Sequence, residues 1–208
     1  MRFLVINLIF ILFFAACSIP TTKNLQEYSS TKTTFTNPYF SDINTDYVYK
    51  AKIKAYNNVF GGILIIKKID KECHRIVFTT NFGNKIFDFQ LNKNDVKTHY
   101  IMDELNRKII INILTNDFKT LTKEHHQIYK TYKKNELVNI YQTKTKKRFN
   151  HYFTTVTNQE LTKIVNTTKT KEKVSINFNK IQDSIAKHIV IQHKKSPIKI
   201  DLTIISNN

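Results

Sequence analysis

The alternation of apolar and basic side chains that begins at Asp46 constrains the fold more than any other feature of this chain. Through residues 46–55, Tyr47, Tyr49, Ala51, Ile53 and Ala55 share one parity and Lys50, Lys52 and Lys54 share the other. A period of two puts these sets on opposite faces of an extended strand, one dry and one wet. Asn57 and Asn58 read as a turn. VFGGILIIKK at 59–68 then reads as a strand apolar on both faces, the pattern of a central, covered position. Gly61 and Gly62 inside it imply a bulge, a bend or the close approach of another backbone. Segments 74–81, 85–91 and 95–102 repeat the alternation between short polar turns, which extends the pattern into a meander.

The period changes over residues 103–121. Leu105, Ile109, Ile113, Leu114, Phe118 and Leu121 fall on one side of a helix, with Asp103 available as its N-cap. The competing reading is a further strand, because Ile109, Ile110 and Ile111 are β-branched. Residues 122–134 read as a polar, basic continuation containing His125 and His126. Strand-like segments resume near 135–143, 147–156, 160–168, 172–181, 185–194 and 197–206, with turn signals at Asn158, at 169–171, at Asp183 with Ser184 and at Ser196 with Pro197. Roughly eleven strands around one helical insertion make a mainly β, α+β chain built on a strongly curved antiparallel sheet. With three glycines and three prolines in the whole chain, turns must draw on Asn, Asp, Lys and Ser.

Ahead of the sheet, MRFLVINLIFILFFAAC carries Arg2, an apolar run from Phe3 to Phe14, two alanines and Cys17. This is the tripartite layout of an export signal. An apolar run of about 12 residues rises only about 18 Å, short of the ~30 Å hydrocarbon core, which argues against a permanent span. Phe14-Ala15-Ala16-Cys17 resembles the bacterial lipobox. That resemblance implies loss of residues 1–16 and covalent diacylglycerol and acyl lipid, such as palmitate, on Cys17, with no other cofactor. The alternative is an ordinary secretory signal that happens to contain a cysteine. Each buried CH₂ contributes about 0.8 kcal/mol, so two or three chains anchor a protein where one holds it marginally. In the lipoprotein-sorting pattern an Asp after the cysteine marks inner-membrane retention, and Ser18 here matches the outer-membrane pattern. Residues 17–45, rich in Ser, Thr and Asn, read as the lipidated cysteine and a flexible tether whose end Phe35, Tyr39 and Phe40 can dock on a domain spanning 46–208.

The formal net charge is +17, and residues 1–16 contribute only Arg2 to it. Such a surface attracts anions. For an exported, lipid-anchored chain these are membrane headgroups rather than nucleic acid, the bland alternative being lysines that occupy wet strand faces. Once Cys17 is acylated Cys73 stands alone, so no internal disulfide is expected. Cys73-His74 and His125-His126 lack the spaced partners of a zinc site, and no metal is expected. The chain contains no G-x-S-x-G elbow, phosphate-binding glycine loop or H-E-x-x-H helix, and Asp88 and Asp95 flank a hairpin. No enzyme is expected. Asp183-Ser184-Ile185 resembles a short acceptor pattern for bacterial O-glycosylation, and a hairpin turn explains it equally well.

Three features together carry a resemblance to a family: the lipobox, the opening YVYKAKIKAYNNVFGGILIIKK, and RIVFTTNFGNKIFDFQL with Phe82-Gly83 at a strand-turn-strand junction. The chain resembles the periplasmic lipoprotein carriers and outer-membrane lipoprotein receptors called LolA and LolB. The resemblance implies an unclosed half-barrel of about eleven strands over residues 46–206, with a helical lid above an apolar cavity of a size that suits acyl chains. It implies a monomer, anchored at the periplasmic face of the outer membrane, that binds acyl chains of lipoproteins or lipids and helps insert them in that membrane. A soluble periplasmic carrier and its lipoprotein cargo would be its partners. The residues expected to face the cavity are Tyr49, Ala51, Ile53, Ile76, Phe78, Phe87, Phe89, Leu91, Tyr100 and Met102; the competing reading is that they fill a solid core. In the receptor an exposed apolar loop helps insertion, and Phe82 before Gly83 is the candidate here. A reading of a different class is a structural or adhesive surface lipoprotein whose basic face binds anionic partners.

Overall fold

The computed structural model describes residues 20–145 and 148–205. The export signal and the expected lipidation site Cys17 lie outside the described residues. The alternating segments form strands where their pattern places them, and backbone pairing adds four more strands. In chain order the strands are β1 (Gln26–Glu27), β2 (Thr34–Thr36), β3 (Asp46–Ala55), β4 (Asn58–Asp70), β5 (Cys73–Thr79), β6 (Lys85–Leu91) and β7 (Val96–Ile101). After the helix α1 (Lys108–Thr122) come β8 (His125–Gln127), β9 (Lys130–Asn135), β10 (Val138–Lys144), β11 (Phe149–Thr155), β12 (Leu161–Thr167), β13 (Glu172–Gln182), β14 (Ile185–His193) and β15 (Ile198–Ile204).

Thirteen strands form one antiparallel sheet in the order β1, β9 through β15, then β3 through β7. The last strand closes against the first long one, with Leu202 opposite Ala51 and Ile200 opposite Ile53, so two meanders become one sheet. Its end strands β1 and β7 do not pair with each other. This is a mainly β, unclosed, curved antiparallel sheet with one helix laid on its concave side. Cross-strand rows line that side: Tyr49, Leu64, Phe78 and Phe87 in one, Tyr47, Ile66, Ile76 and Phe89 in the next. All eight are buried, and such opposed apolar pairs are the unit of sheet stabilisation.

Gly62 resolves the alternatives left open for the glycine pair. A Cβ there would lie 1.8 Å from the Thr79 carbonyl oxygen, whereas one on Gly61 would meet nothing within 4 Å. The close approach of backbone is therefore the requirement, and it belongs to Gly62 alone. The outer face of β4 is not covered: Ile63 and Ile65 stay half-buried and Val59 is exposed. The β3–β4 turn falls one residue earlier than expected, on Tyr56 and Asn57, and Tyr56 rather than an Asn takes positive φ. At Asp183-Ser184 both residues have positive φ, the geometry of a two-residue hairpin.

The helix is shorter than its pattern suggested. Asp103 does not cap it; Asp103–Leu105 form a separate 3-10 turn, and Arg107 stands at the N-cap without a side-chain hydrogen bond. Ile110, Leu114, Phe118 and Leu121 face the sheet, while Ile109 points to solvent. Leu114, Phe118 and Leu121 are thus inward as expected and Ile113 packs partly against the core, while in the first turn Ile110 takes the inward place expected of Ile109.

The segment read as tether is held along much of its length. β1 pairs with β9, and β2 pairs with β8 in a small second sheet. Phe35 lies among Tyr141, Tyr152 and His126 with ring centroids 4.9–6.1 Å away. Asn37 donates from Nδ2 to the Leu121 carbonyl at 2.9 Å, satisfying a helix-end acceptor, and Tyr39 donates its hydroxyl to the Leu161 carbonyl at 2.6 Å. Phe40 packs edge-on to Tyr47 at 5.0 Å. Docking by these three aromatics thus reaches back through residues 34–40 and straps the end of α1 to the sheet.

Candidate functional site

Of the residues expected to face a cavity, Tyr49, Ala51, Ile53, Ile76, Phe78, Phe87, Phe89 and Leu91 are all buried on the concave side. Ring contacts tie several of them together. Phe87 lies 5.3 Å from Phe78, 4.7 Å from Phe89 and 5.9 Å from Phe118 of α1, which are ordinary aromatic contacts of a filled core. Met102 is partly buried against the same cluster. Tyr100 is on the other side, 44% exposed. It stands opposite Asp88, and the register shift between Asp88 and Phe89 breaks the alternation of β7, so that Ile101 takes the inward place opposite Phe87.

Open volume lies under the other half of the sheet. A pocket of about 400 Å³ runs between α1 and strands β11 to β14, within the range of small-molecule sites. Its apolar lining comes from Ile113 of α1 and from Ile164, Val174 and Ile176 of the sheet. Toward one end, inward positions that elsewhere carry Ile or Tyr turn polar: Asn150 stands opposite Asn166, Asn166 opposite Val174, and Val174 opposite His193. Sequence reasoning missed this site, although a polar residue interrupting an apolar parity was its visible signal.

A buried pair ties lid to sheet across the pocket. His193 Nε2 lies 2.7 Å from Asp117 Oδ2, with their side chains 9% and 5% exposed. Burial drives the Asp117 carboxyl above its ordinary range, opposed by the hydrogen bond and charge of His193 and more weakly by the charge of Arg148. At the mouth, Arg148 donates from Nη1 to Asn166 at 2.8 Å, and Asn166 donates to Asn150 at 2.6 Å. Lys173 reaches the pocket through a bulge: Asn166 pairs with Val174 and Thr167 with Glu172, leaving Lys173 as the extra residue, and bulges re-aim side chains in this way. Lys195 and Ser196 complete the wall, and the Ser196 hydroxyl is buried without a hydrogen-bond partner.

The expected loop residues stand at the same end of the sheet. Phe82 is 94% exposed at the tip of the β5–β6 turn, with Gly83 at φ +85° behind it. Tyr56 and Val59, both exposed, lie at the adjacent β3–β4 hairpin. The register of β15 on β3 places Ile198 beside Ala55, so the β14–β15 loop bearing Lys195 shares that rim with these apolar tips.

No protein-family model matches this sequence, and no curated protein does. Among solved structures, the chain is similar to a LolA superfamily protein from Nitrosomonas europaea, with a TM-score of 0.52 at 9% identity over 82% of this chain and 88% of that one. A domain from Vibrio parahaemolyticus provisionally named an outer membrane lipoprotein-sorting protein gives a TM-score of 0.44 at 7% identity over 77% and 83% of the two chains. The fold is LolA-like: an open antiparallel half-barrel with a helix across its concave face.

Proposed function

We infer that this chain is a lipid-anchored envelope protein that holds the acyl chain of a lipoprotein or lipid beneath α1 and helps deliver it to the outer membrane. The observation that carries this reading is the pocket of about 400 Å³, floored by Ile164, Val174 and Ile176 and roofed by a helix, within a LolA-like sheet. An acyl chain transferred from water to that floor gains the free energy of apolar burial. Delivery needs no covalent step, because chains move to whichever cavity or bilayer holds them better. The anchor on Cys17 keeps the domain at the bilayer, and Phe82 at a rim tip enters it, because removing an exposed apolar ring from water is favourable.

Insertion of a triacylated lipopeptide into vesicles tests this directly. The wild-type chain is expected to accelerate it, Phe82→Ser to slow it without weakening lipopeptide binding, and Cys17→Ala to leave the chain unanchored. Vesicle insertion at the uncatalysed rate with wild-type protein refutes the reading. The adhesive reading draws on one observation, the exposed row Lys50, Lys52 and Lys54 on β3 with Lys199 opposite Lys54. Salt-sensitive retention on a polyanion, abolished by substituting that row with Gln and unaffected by filling the pocket, would favour it.

A further inference from the structure

We propose that the pocket selects amphiphiles with an anionic head, the head being held at the mouth by Arg148, Lys173 and Lys195 while the chain lies on the apolar floor. This rests on the acyl-binding reading and names the ligand class of that same site. The pocket is divided along its length: the row of Ile164 and Ile176, under Ile113, gives way one row on to Asn150, Asn166 and His193 around Val174, with Arg148, Lys173 and Lys195 at that end of the lining. None of those three cations forms an ion pair among the described residues. The one carboxylate in the lining, Asp117, is occupied by His193, so the mouth carries uncompensated positive charge.

Placement of these cations is built rather than incidental. Lys173 is the extra residue of a strand bulge in the pocket lining, and the Asn166 hydrogen bond holds the Arg148 guanidinium while leaving donors to spare. Ser196 adds an unpartnered hydroxyl to the same wall. Guanidinium and ammonium donors converging on one mouth match the several oxygens of a phosphate or the two of a carboxylate. A neutral head would leave these charges without a partner, so discrimination follows from the mouth and retention from the floor.

Native mass spectrometry of the full chain in neutral detergent separates the possibilities, using lyso-phosphatidylglycerol, the uncharged monoacylglycerol of equal chain length, and inorganic phosphate. The anionic amphiphile is expected to bind about tenfold or more tighter than the neutral one, as one or two charge-assisted hydrogen bonds provide. The combined variant Arg148→Gln, Lys173→Gln, Lys195→Gln should equalise the two ligands while keeping the neutral one. Should that variant lose both, Lys195→Glu alone, on an exposed loop, must still reduce the preference. Equal affinities in the wild type, or a preference that survives these substitutions, overturns the proposal and leaves acyl binding standing. Binding of phosphate with no acyl compound supports the anion site but sinks the acyl-binding reading. Binding of none of the three overturns both.

Discussion

Acidification should destabilise this fold, and His126 and His151 contribute a definable share of the loss, with buried His74 adding in the same direction. His151 accepts a hydrogen bond from Gln142 Nε2 at 2.9 Å on its Nε2 and donates from Nδ1 to the Val165 carbonyl at 3.2 Å. His126 donates from Nε2 to the Lys123 carbonyl at 3.0 Å and accepts from the Tyr152 hydroxyl at 3.2 Å on Nδ1. Each partner set suits a neutral imidazole, and burial pushes both groups from 6.5 down to about 4. The unfolded chain therefore binds more protons than the folded one between these values. Stability is fully present above about pH 6.5 and is lost as pH falls through about 4. Moving from pH 7 to pH 5 removes about 2 kcal/mol for each histidine, about 4 kcal/mol together, from a total of about 5–15 kcal/mol for an ordinary domain. Urea unfolding at both pH values, compared between the wild type and the double variant His126→Gln, His151→Gln, reads this difference. A wild type that loses no more stability than the double variant would refute the reasoning.

Substitution of the β4 glycines should separate cleanly. Gly62→Ala forces a methyl onto the Thr79 carbonyl and is expected to lower stability by about 1–3 kcal/mol or more, whereas Gly61→Ala, with open space around it, should shift the urea midpoint little. Phe118→Ala removes a fully buried ring that packs on Phe87 and should cost about 3–5 kcal/mol in equilibrium unfolding. Phe82→Ser should leave the unfolding midpoint unchanged, because the ring touches solvent, and slow vesicle insertion of a lipopeptide. A drop in stability comparable to that of Phe118→Ala would instead assign Phe82 to the core.

How much of this was legible depended on whether side chains or backbone carried the information. β3 to β7 and β10 to β15 fall close to their expected limits, most clearly where one parity is buried throughout, as from Tyr47 to Ala55 and from Cys73 to Thr79. β8 and β9 were missed: His125–Gln127 and Lys130–Asn135 have little apolar alternation and are held by backbone pairing to neighbours that the local sequence does not reveal. The phase of α1 was legible from Leu114, Phe118 and Leu121, and only the inward residue of its first turn, Ile110 rather than Ile109, needed the sheet. The pocket under α1 was not legible in place. The aromatic residues of β3 to β6 are inward as expected and pack against Phe118, whereas the pocket under α1 lies where Asn150, Asn166 and His193 replace bulky apolar side chains. Lys173 could not be found by parity, because a bulge breaks the alternation there.

Organic extraction of the purified full-length chain, followed by mass spectrometry of the lipid released without cleaving covalent acyl groups, tests acyl binding under α1 most directly. The expected result is an acyl lipid bound near one per chain in the wild type and absent from Val174→Trp, whose ring fills the pocket floor. Protein that carries no releasable acyl lipid, or a Val174→Trp variant that carries as much as the wild type, would contradict it.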